Sequence, residues 1–188
     1  MMSYIKHILV LTIIFGVSLT QLPYTQVKAN SIEKKVDSEQ TGNLVINGSF
    51  EDGFNGWDNA FPEHAQIIEE NGNHFLRYTT TPTGFGPITE QRIRNLIPNT
   101  LYKLSMESRK QDYIPNGIGI ESGSGLENIL GERKSVYAPA STKFESSEVV
   151  LKSGEDGGLR IFIYMNPEAG DGQADFDNFV LSKVENSK

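Results

Sequence analysis

Short apolar runs separated by Gly, Pro and Asn recur along the chain from Asn43 onward, at intervals of about eight to twelve residues. In Leu101–Arg109 and Leu159–Met165 apolar and polar side chains alternate, so each segment has one face for a core and one face for solvent. No window keeps the 3.6-residue period of an amphipathic helix. The pattern therefore predicts an all-β sandwich or barrel.

The remaining strands and the turns between them follow from the same pattern. Further strands are predicted at Leu44–Ile46, Ala65–Ile68, Phe75–Thr79, Pro87–Ile93, Gly117–Glu121, Lys143–Leu151 and Ala174–Val184. Turns are predicted at Asn71–Asn73, Ile97–Thr100 and Glu155–Gly158. In the second of these, proline fixes φ at the first central position and asparagine tolerates the left-handed conformation at the next.

The first 29 residues have the composition of a secretory signal peptide. Lys6 and His7 precede an apolar run, Ile8–Leu19, which is followed by Pro23 and the small-residue ending Val27–Ala29. The apolar run is shorter than the ~20 residues that a spanning helix needs. We therefore predict export with cleavage near Ala29, and no membrane insertion.

The rest of the chain divides into a spacer and one domain. Residues 30–42 are polar and charged, without an apolar face, and are predicted to be a flexible spacer. Residues 43–185 carry the strand pattern and are long enough to bury one core. The chain has no Cys, so disulfide bonds do not contribute to the stability of this domain.

Charge and composition exclude several classes of partner and reaction. Residues 1–29 contain two Lys and no acid, so 15 of the 17 basic residues and all 24 acidic ones remain after cleavage, a net charge of −9. Such a chain is a poor match for nucleic acid, since phosphate binding needs clusters of Lys and Arg. A Cys nucleophile is impossible, and neither His64 nor His74 lies in a catalytic motif.

Neighbouring carboxylates are the one enzymatic feature of the sequence, because glycoside hydrolysis uses two of them. Four pairs occur, and none is distinguished by its context: Glu51 with Asp52, Glu69 with Glu70, Glu155 with Asp156, and Asp175 with Asp177. In an acidic chain such pairs usually form a solvated surface or a cation site. The sequence therefore favours a non-enzymatic protein.

Four segments resemble secreted carbohydrate-binding modules of families 4, 9 and 22, which are galactose-binding-like β-jelly rolls. Asn43–Trp57, NLVINGSFEDGFNGW, is similar to their first strand and turn, and Glu70–Tyr78, ENGNHFLRY, to the following loop and strand. Leu96–Lys110 and Ala174–Leu181, ADFDNFVL, are similar to a later strand and the closing strand. Phe179 stands where the family usually has an aliphatic residue. The resemblance implies a jelly roll with Trp57 in its core.

The resemblance also implies a structural Ca²⁺ ion. In the family, the Glu of the first segment and the Asp of the closing strand bind this ion with the help of carbonyl oxygens. The corresponding residues here are Glu51 and Asp177, with carbonyl oxygens of Ser49 and the Asn73 loop. Ca²⁺ takes six to eight oxygen ligands, as this set would supply in part.

A ligand surface is predicted from alternation and from the resemblance together. If Ile161 and Ile163 face the core, Phe162 and Tyr164 lie on the outer face of the sheet, available for stacking on sugar rings unless a loop buries Phe162. Two more aromatic residues and two arginines complete the set. The candidate ligand-binding residues are Phe85, Arg109, Tyr113, Arg160, Phe162 and Tyr164.

The sequence thus predicts a secreted, monomeric jelly roll that binds a polysaccharide or glycan without catalysis. Two alternatives stay open. One is a small jelly-roll lyase or hydrolase, which would need a cleft with converging catalytic groups. The other is an adhesion or structural protein that uses the same fold for contacts with proteins.

Overall fold

A computed structural model describes residues 42–79, 89–110, 116–124, 131–165 and 172–185. All of them belong to one compact unit that covers residues 36–188. The predicted signal peptide, 1–29, and all but the last residue of the predicted spacer lie outside the described residues and stay predictions. Within the described ranges, no helix has the length and apolar character that crossing a membrane requires.

Two antiparallel sheets of five strands each make up the described part of the domain. The strands are β1 (Asp58–Asn59), β2 (Ala65–Glu70), β3 (Asn73–Thr79), β4 (Thr89–Ile93), β5 (Leu101–Lys110), β6 (Asn116–Ser122), β7 (Arg133–Tyr137), β8 (Glu145–Lys152), β9 (Leu159–Met165) and β10 (Gln173–Lys183). The first sheet has the order β1-β4-β9-β6-β7 and the second the order β2-β3-β10-β5-β8. The predicted all-β sandwich is confirmed.

Alternation identified the core-facing side chains of the two clearest strands. In β5, Tyr102, Leu104 and Met106 are buried, and in β9 the buried residues include Ile161 and Ile163. These side chains belong to a single hydrophobic cluster between the two sheets. The core therefore forms where the period-2 pattern predicted it.

The predicted turns are present as well. Asn71 and Gly72 have φ of 56° and 81°, the positive values that a two-residue type I′ hairpin loop between β2 and β3 requires. Asn99 has φ of 54°, so the expected left-handed residue precedes β5. These turns set the register of the strands that follow them.

Three strand assignments differ from the sequence prediction. Leu44–Ile46 is not a strand, because the chain makes one backbone bond, from Leu44 N to Leu181 O at 3.0 Å, and then enters consecutive turns. Side chains take over the remaining pairing. The side-chain oxygen of Asn43 accepts from the backbone N of both Val45 and Leu181, and the amide of Gln91 binds the backbone N and O of Ile46. In addition, neither β1 nor β7 was predicted.

A β-bulge in the closing strand decides which side chains enter the core. In β10, Ala174 and Phe176 face inward up to the register shift between Asp177 and Val180, after which Phe179 and Leu181 face inward. Asn178 allows this change of parity by adopting φ of 52°. Without the extra residue, alternation would send Phe179 to the solvent.

Phe179 completes a cluster of three buried rings. Trp57 lies 5.2 Å from both Phe50 and Phe179, measured between ring centroids, and the Phe50–Phe179 distance is 5.9 Å. The Trp57 Nε1–H donates to the backbone oxygen of Asn47 at 3.2 Å. Trp57 is 6% exposed, so the predicted core role of this residue is confirmed. The cluster attaches the N-terminal turns to β10.

Truncating the ring of Phe179 should therefore destabilise the domain strongly. We expect Phe179→Ala to lower the free energy of unfolding by about 3–5 kcal/mol, because it removes a fully buried aromatic side chain. The matched control is Val180→Ala, since Val180 is the next residue and is 39% exposed; we expect it to cost less than about 1 kcal/mol. Urea unfolding measures both, and similar losses for the two variants would contradict the bulged register.

Candidate functional site

The outer face of the first sheet carries an unusual group of rings and charges, which we call the aromatic face. β9 contributes Arg160, Phe162 and Tyr164, whose side chains point away from the core. The neighbouring strands contribute Glu90 from β4, Glu121 and two glycines from β6, and Arg133, Ser135 and Tyr137 from β7. Pairing across the strands arranges these residues in rows.

Glycines on β6 make room for the rings. Gly119 is paired with Phe162, and a Cβ atom added to Gly119 would lie 1.9 Å from the ring carbon Cζ of Phe162. The phenylalanine ring therefore lies directly against the backbone of β6. Any side chain at position 119 would displace the ring.

Tyr164 and Tyr137 form the accessible part of the aromatic face. Both are paired with Gly117, which lies between them and has no side chain. Their ring centroids are 6.2 Å apart with an interplanar angle of 71°. Tyr137 is 63% exposed, whereas burial raises the pKa of the half-buried Tyr164 hydroxyl. The two rings thus contact each other edge to face beside Gly117, and we call them the tyrosine pair.

An ion network lies beside the tyrosine pair on the same face of the sheet. Arg160 Nε donates to Glu90 Oε2 at 2.7 Å, and Arg160 Nη1 donates to Glu121 Oε2 at 2.8 Å. Arg92 Nε donates to the other oxygen of Glu90 at 2.9 Å. Burial raises the pKa of Glu90, but its bonds to Arg160 and Arg92 outweigh that effect and hold the pKa below 4.5. Both carboxylates are therefore anchored by arginine.

Phe162 is on the outer face, as alternation predicted, but it is only 1% exposed. The guanidinium carbon of Arg133 lies 4.3 Å from the ring centroid, and that of Arg160 lies 5.3 Å away. Arg160 is on the same strand as the ring, and Arg133 is on β7, two strands away. Burial beneath residues 112–117, the alternative predicted for this ring, stays a prediction because residues 112–115 lie outside the described residues.

Arg109 does not join the other predicted ligand residues. It lies on β5, in the second sheet, and its side chain points from the opposite face of the sandwich. Its Nε donates to Asp175 Oδ2 at 2.7 Å and its Nη2 to Glu70 Oε2 at 2.7 Å. The prediction that it contacts the same ligand as Phe162 and Tyr164 is therefore wrong, because alternation fixes the face of a strand but not its sheet.

The surroundings of Arg109 explain its conformation. Its guanidinium carbon lies 4.9 Å from the ring centroid of Phe75 and 4.6 Å from that of Phe144. Arg77 donates to both oxygens of Asp175, at 2.7 and 2.9 Å. The carboxylate of Asp175 is 3% exposed and thus binds arginines from both neighbouring strands. This arrangement is an ion clamp across β3, β10 and β5.

Phe85 and Tyr113 lie outside the described residues, so their predicted roles stay predictions. Other contributors were not predicted. Arg133 and Tyr137 were missed because β7 was not recognised as a strand, since three polar residues followed by two apolar ones in RKSVY give no alternation. Glu121 was predicted to lie in a strand, but its contact with Arg160 depends on strand pairing that sequence alone does not reveal.

The four predicted calcium ligands occur near the bulge in the middle of β10. Asn73 Nδ2 donates to Asp177 Oδ2 at 2.9 Å, and Asn178 N donates to Asp177 Oδ1 at 2.7 Å. Glu51 Oε1 accepts from the backbone N of His74 at 3.1 Å. Ser49 is half-buried in the same turns as Glu51. Both carboxylates thus already accept hydrogen bonds from protein nitrogen atoms.

The pKa values of the two carboxyl groups are shifted in opposite directions. Burial raises the pKa of Asp177, and the nearby charges of Glu107 and Glu51 add to the rise, while hydrogen bonds from Asn73 and Asn178 oppose it. By contrast, hydrogen bonds from His74 hold the pKa of Glu51 below its usual value. In the part of the chain that the structure describes, no three His, Asp or Glu side chains are placed to hold a metal ion together.

The known proteins that are similar to this chain are found by comparing structures. No protein-family model and no curated protein match the chain. A CBM61 carbohydrate-binding module in complex with β-1,4-galactotriose matches with a TM-score of 0.56 at 13% identity, over 77% of this chain and 100% of that chain. The CBM22-1 xylan-binding domain of Paenibacillus barcinonensis Xyn10C matches with a TM-score of 0.53 at 15% identity, over 78% and 98%. The domain has the jelly-roll fold of carbohydrate-binding modules.

The same fold also occurs as part of larger enzymes. The enzymatically active domain of a bacteriophage CBA120 tailspike protein matches with a TM-score of 0.58 at 12% identity, over 76% of this chain but only 21% of that chain. At these identities the similarity concerns the fold alone. The function must be argued from the side chains of the domain itself.

The ion network predicts how stability depends on pH. Because the folded-state pKa of Glu90 lies below 4.5, its ionised form stabilises the domain above that pH, and the contribution is lost as the pH falls through the folded-state pKa. We expect Glu90→Gln to lower the free energy of unfolding by about 2 kcal/mol at pH 7, since the bonds to Arg160 and Arg92 lose their negative partner.

Urea unfolding between pH 7 and pH 3 measures this difference. The difference in the free energy of unfolding between the wild type and Glu90→Gln should become smaller below pH 4.5. Glu148→Gln is the control, because Glu148 is 63% exposed and its 3.3 Å ion pair with Lys103 is a weak surface contact. A Glu90→Gln gap that stays constant over the whole range would refute the assigned role of the carboxylate.

Proposed function

We propose that the domain binds a neutral polysaccharide non-catalytically on the aromatic face. The observation that carries this proposal is the tyrosine pair, in which the 63% exposed Tyr137 and the half-buried Tyr164 present adjacent rings on the outer face of the sheet. Aromatic rings pack against the C–H faces of sugars, so adjacent accessible rings offer a stacking surface.

Polar groups at the tyrosine pair fit the recognition of sugar hydroxyls. The hydroxyl groups of Tyr164, Tyr137 and Ser135 can each donate and accept hydrogen bonds there. Arg160 is less suited to this role, because each of its three guanidinium nitrogens already contacts a carboxylate oxygen. We therefore assign Arg160 to positioning Glu90 and Glu121, and the tyrosines to ligand contact.

The same ion network argues against an enzyme. A glycosidase needs a carboxylic acid whose pKa is raised so that it can donate a proton near neutral pH. Glu90 has a lowered pKa, and both oxygens of Glu121 face arginines, at 2.8 Å for Arg160 and 3.6 Å for Arg133. Glu90 is thus held as an anion and Glu121 is engaged by two arginines, which supports binding over hydrolysis on this face.

The structural neighbours support the ligand class. One is solved with β-1,4-galactotriose and another is a xylan-binding domain, so both are associated with uncharged β-linked chains. The export pattern in residues 1–29 supports a role outside the cell, where such polysaccharides occur. We propose that the domain acts there as a monomer.

Removing either tyrosine ring should abolish most of the binding. Affinity gel electrophoresis in β-1,4-galactan and in xylan measures the retardation of the domain. We expect Tyr137→Ala and Tyr164→Ala each to weaken binding at least tenfold, as expected for ring stacking worth more than about 1.4 kcal/mol.

The control is Leu101→Ala, because Leu101 is 40% exposed and lies on the second sheet. It should migrate as the wild type does in both gels. If the tyrosine variants are retarded as strongly as the control, the aromatic face is not the binding surface. If no polysaccharide retards the wild type, a protein-binding role becomes the better interpretation of Tyr137.

We also propose that a Ca²⁺ ion is bound near Glu51 and Asp177. Support comes from the raised pKa of Asp177, to which the charges of Glu107 and Glu51 contribute, since a divalent cation among these carboxylates would offset their repulsion. The predicted ligand set takes carbonyl oxygens from Ser49 and the Asn73 loop, and the ion would replace the bond that Asn73 Nδ2 now donates to Asp177 Oδ2. The ion would join the N-terminal turns to β10.

Thermal unfolding with millimolar Ca²⁺ and with chelator tests this proposal. Calcium should raise the melting temperature of the wild type by several degrees, because an ion that binds only the folded state stabilises it. Glu51→Ala and Asp177→Ala should lose this response, whereas Glu148→Ala, a distant exposed carboxylate, should keep it. An unchanged melting temperature in the wild type would eliminate the calcium site and leave the glycan proposal intact.

A further inference from the structure

The ring of Phe162 has one face that a ligand could reach, and that face is occupied. Its other face lies against β6, where a Cβ at position 119 would come within 1.9 Å of the ring. On the accessible face the guanidinium of Arg133 lies 4.3 Å from the ring centroid. Phe162 is 1% exposed, so no sugar can stack on it in this conformation.

The two arginines near the ring are held very differently. Arg160 is 13% exposed and bonded to Glu90 and Glu121 at 2.8 Å or less. The Arg133 side chain is 55% exposed, and its ion contact, with Glu121 Oε1, measures 3.6 Å. The Glu121 carboxylate is only 4% exposed, but it keeps its 2.8 Å contact with Arg160 when the longer contact with Arg133 is broken. Arg133 can therefore leave the ring at a smaller cost than Arg160, which would lose both of its carboxylate partners.

The position of Arg133 in the sheet also permits this movement. β7 is the edge strand of the first sheet, and among the described residues no further strand of that sheet lies beyond it. A side chain on its outer face can rotate into solvent without unpacking a neighbour. The next residue, Lys134, is tied instead to β8, where its Nζ donates to the backbone oxygen of Val150 at 3.1 Å.

We propose that Arg133 is a displaceable cap, which covers the stacking surface of Phe162 in the free domain and is pushed aside by a neutral sugar ring. This inference rests on the proposed function of the aromatic face. When the cap is displaced, Phe162 becomes a second stacking position beside the tyrosine pair, since Phe162 and Tyr164 have ring centroids 6.1 Å apart. Arg133 thereby competes with the ligand and sets the affinity for uncharged glycans.

Affinity gels with galactan and xylan test the competition. We expect Arg133→Ala to bind the retarding polysaccharide about three- to tenfold more tightly, because the ligand no longer displaces a cation–π contact and an ion pair. Arg133→Lys keeps the charge but stacks less well, so its affinity should lie between those of the wild type and Arg133→Ala. The matched control Lys134→Ala removes the same charge from the same strand and should leave the affinity unchanged.

Nuclear magnetic resonance provides a readout that a merely structural role would not move. In the free domain, the δ-methylene protons of Arg133 should be shifted upfield by the ring current of Phe162, and Phe162→Leu should remove that shift. Titration of the wild type with β-1,4-galactotriose, or with xylohexaose if xylan is the polysaccharide that retards the domain, should return these protons to the position of an unstacked arginine.

The outcomes separate the cap from the proposed function. Tighter binding by Arg133→Ala together with loss of the upfield shift on titration supports the cap. Binding that depends on Tyr137 but is unchanged or weakened in Arg133→Ala overturns the cap and leaves the glycan function standing, with a weakened variant making Arg133 a ligand contact. If neither the wild type nor Arg133→Ala binds galactan or xylan, the cap and the neutral-glycan function fail together.

Discussion

The arrangement of the described domain depends on one extra residue in its closing strand. The bulge at Asn178 shifts the alternation of inward and outward side chains in β10 by one residue. Phe176 before the bulge and Phe179 after it therefore both point into the core. The same shift keeps Asp175 and Asp177 on the outer face. A buried aromatic cluster on one side of the strand and a set of carboxylates on the other thus both follow from a single left-handed backbone position.

Local pattern was sufficient for most of the fold. Alternation located β5 and β9 and their buried faces, and the positive φ of Asn99 matches the turn that Pro98 and Asn99 predicted. It was insufficient where pairing is not local. Leu44–Ile46 is apolar and strand-like, yet its backbone is satisfied by the side chain of Asn43 and by turns. No local feature of those three residues reveals that side chains and turns replace strand pairing there.

The site was predictable only in part for the same reason. Period-2 alternation placed Phe162 and Tyr164 outward, and the structure agrees. It assigned Arg109 to the same surface, because a strand's pattern contains no information about which sheet the strand joins. The cover over Phe162 comes from β7, which is paired with β6 and lies two strands away from β9 in the sheet. Such a contact depends on strand order, which emerges from packing of the whole chain.

The strand order also leaves the sandwich with open edges, and their composition has a consequence for its solubility. β1 is only two residues long, β7 begins with Arg133 and Lys134, and β2 ends with Glu69 and Glu70. Short or charged margins of this kind prevent one molecule from extending the sheet of another. A domain at high local concentration would otherwise be at risk of edge-to-edge aggregation. Charge at the margins therefore allows separate molecules to crowd together without joining their sheets.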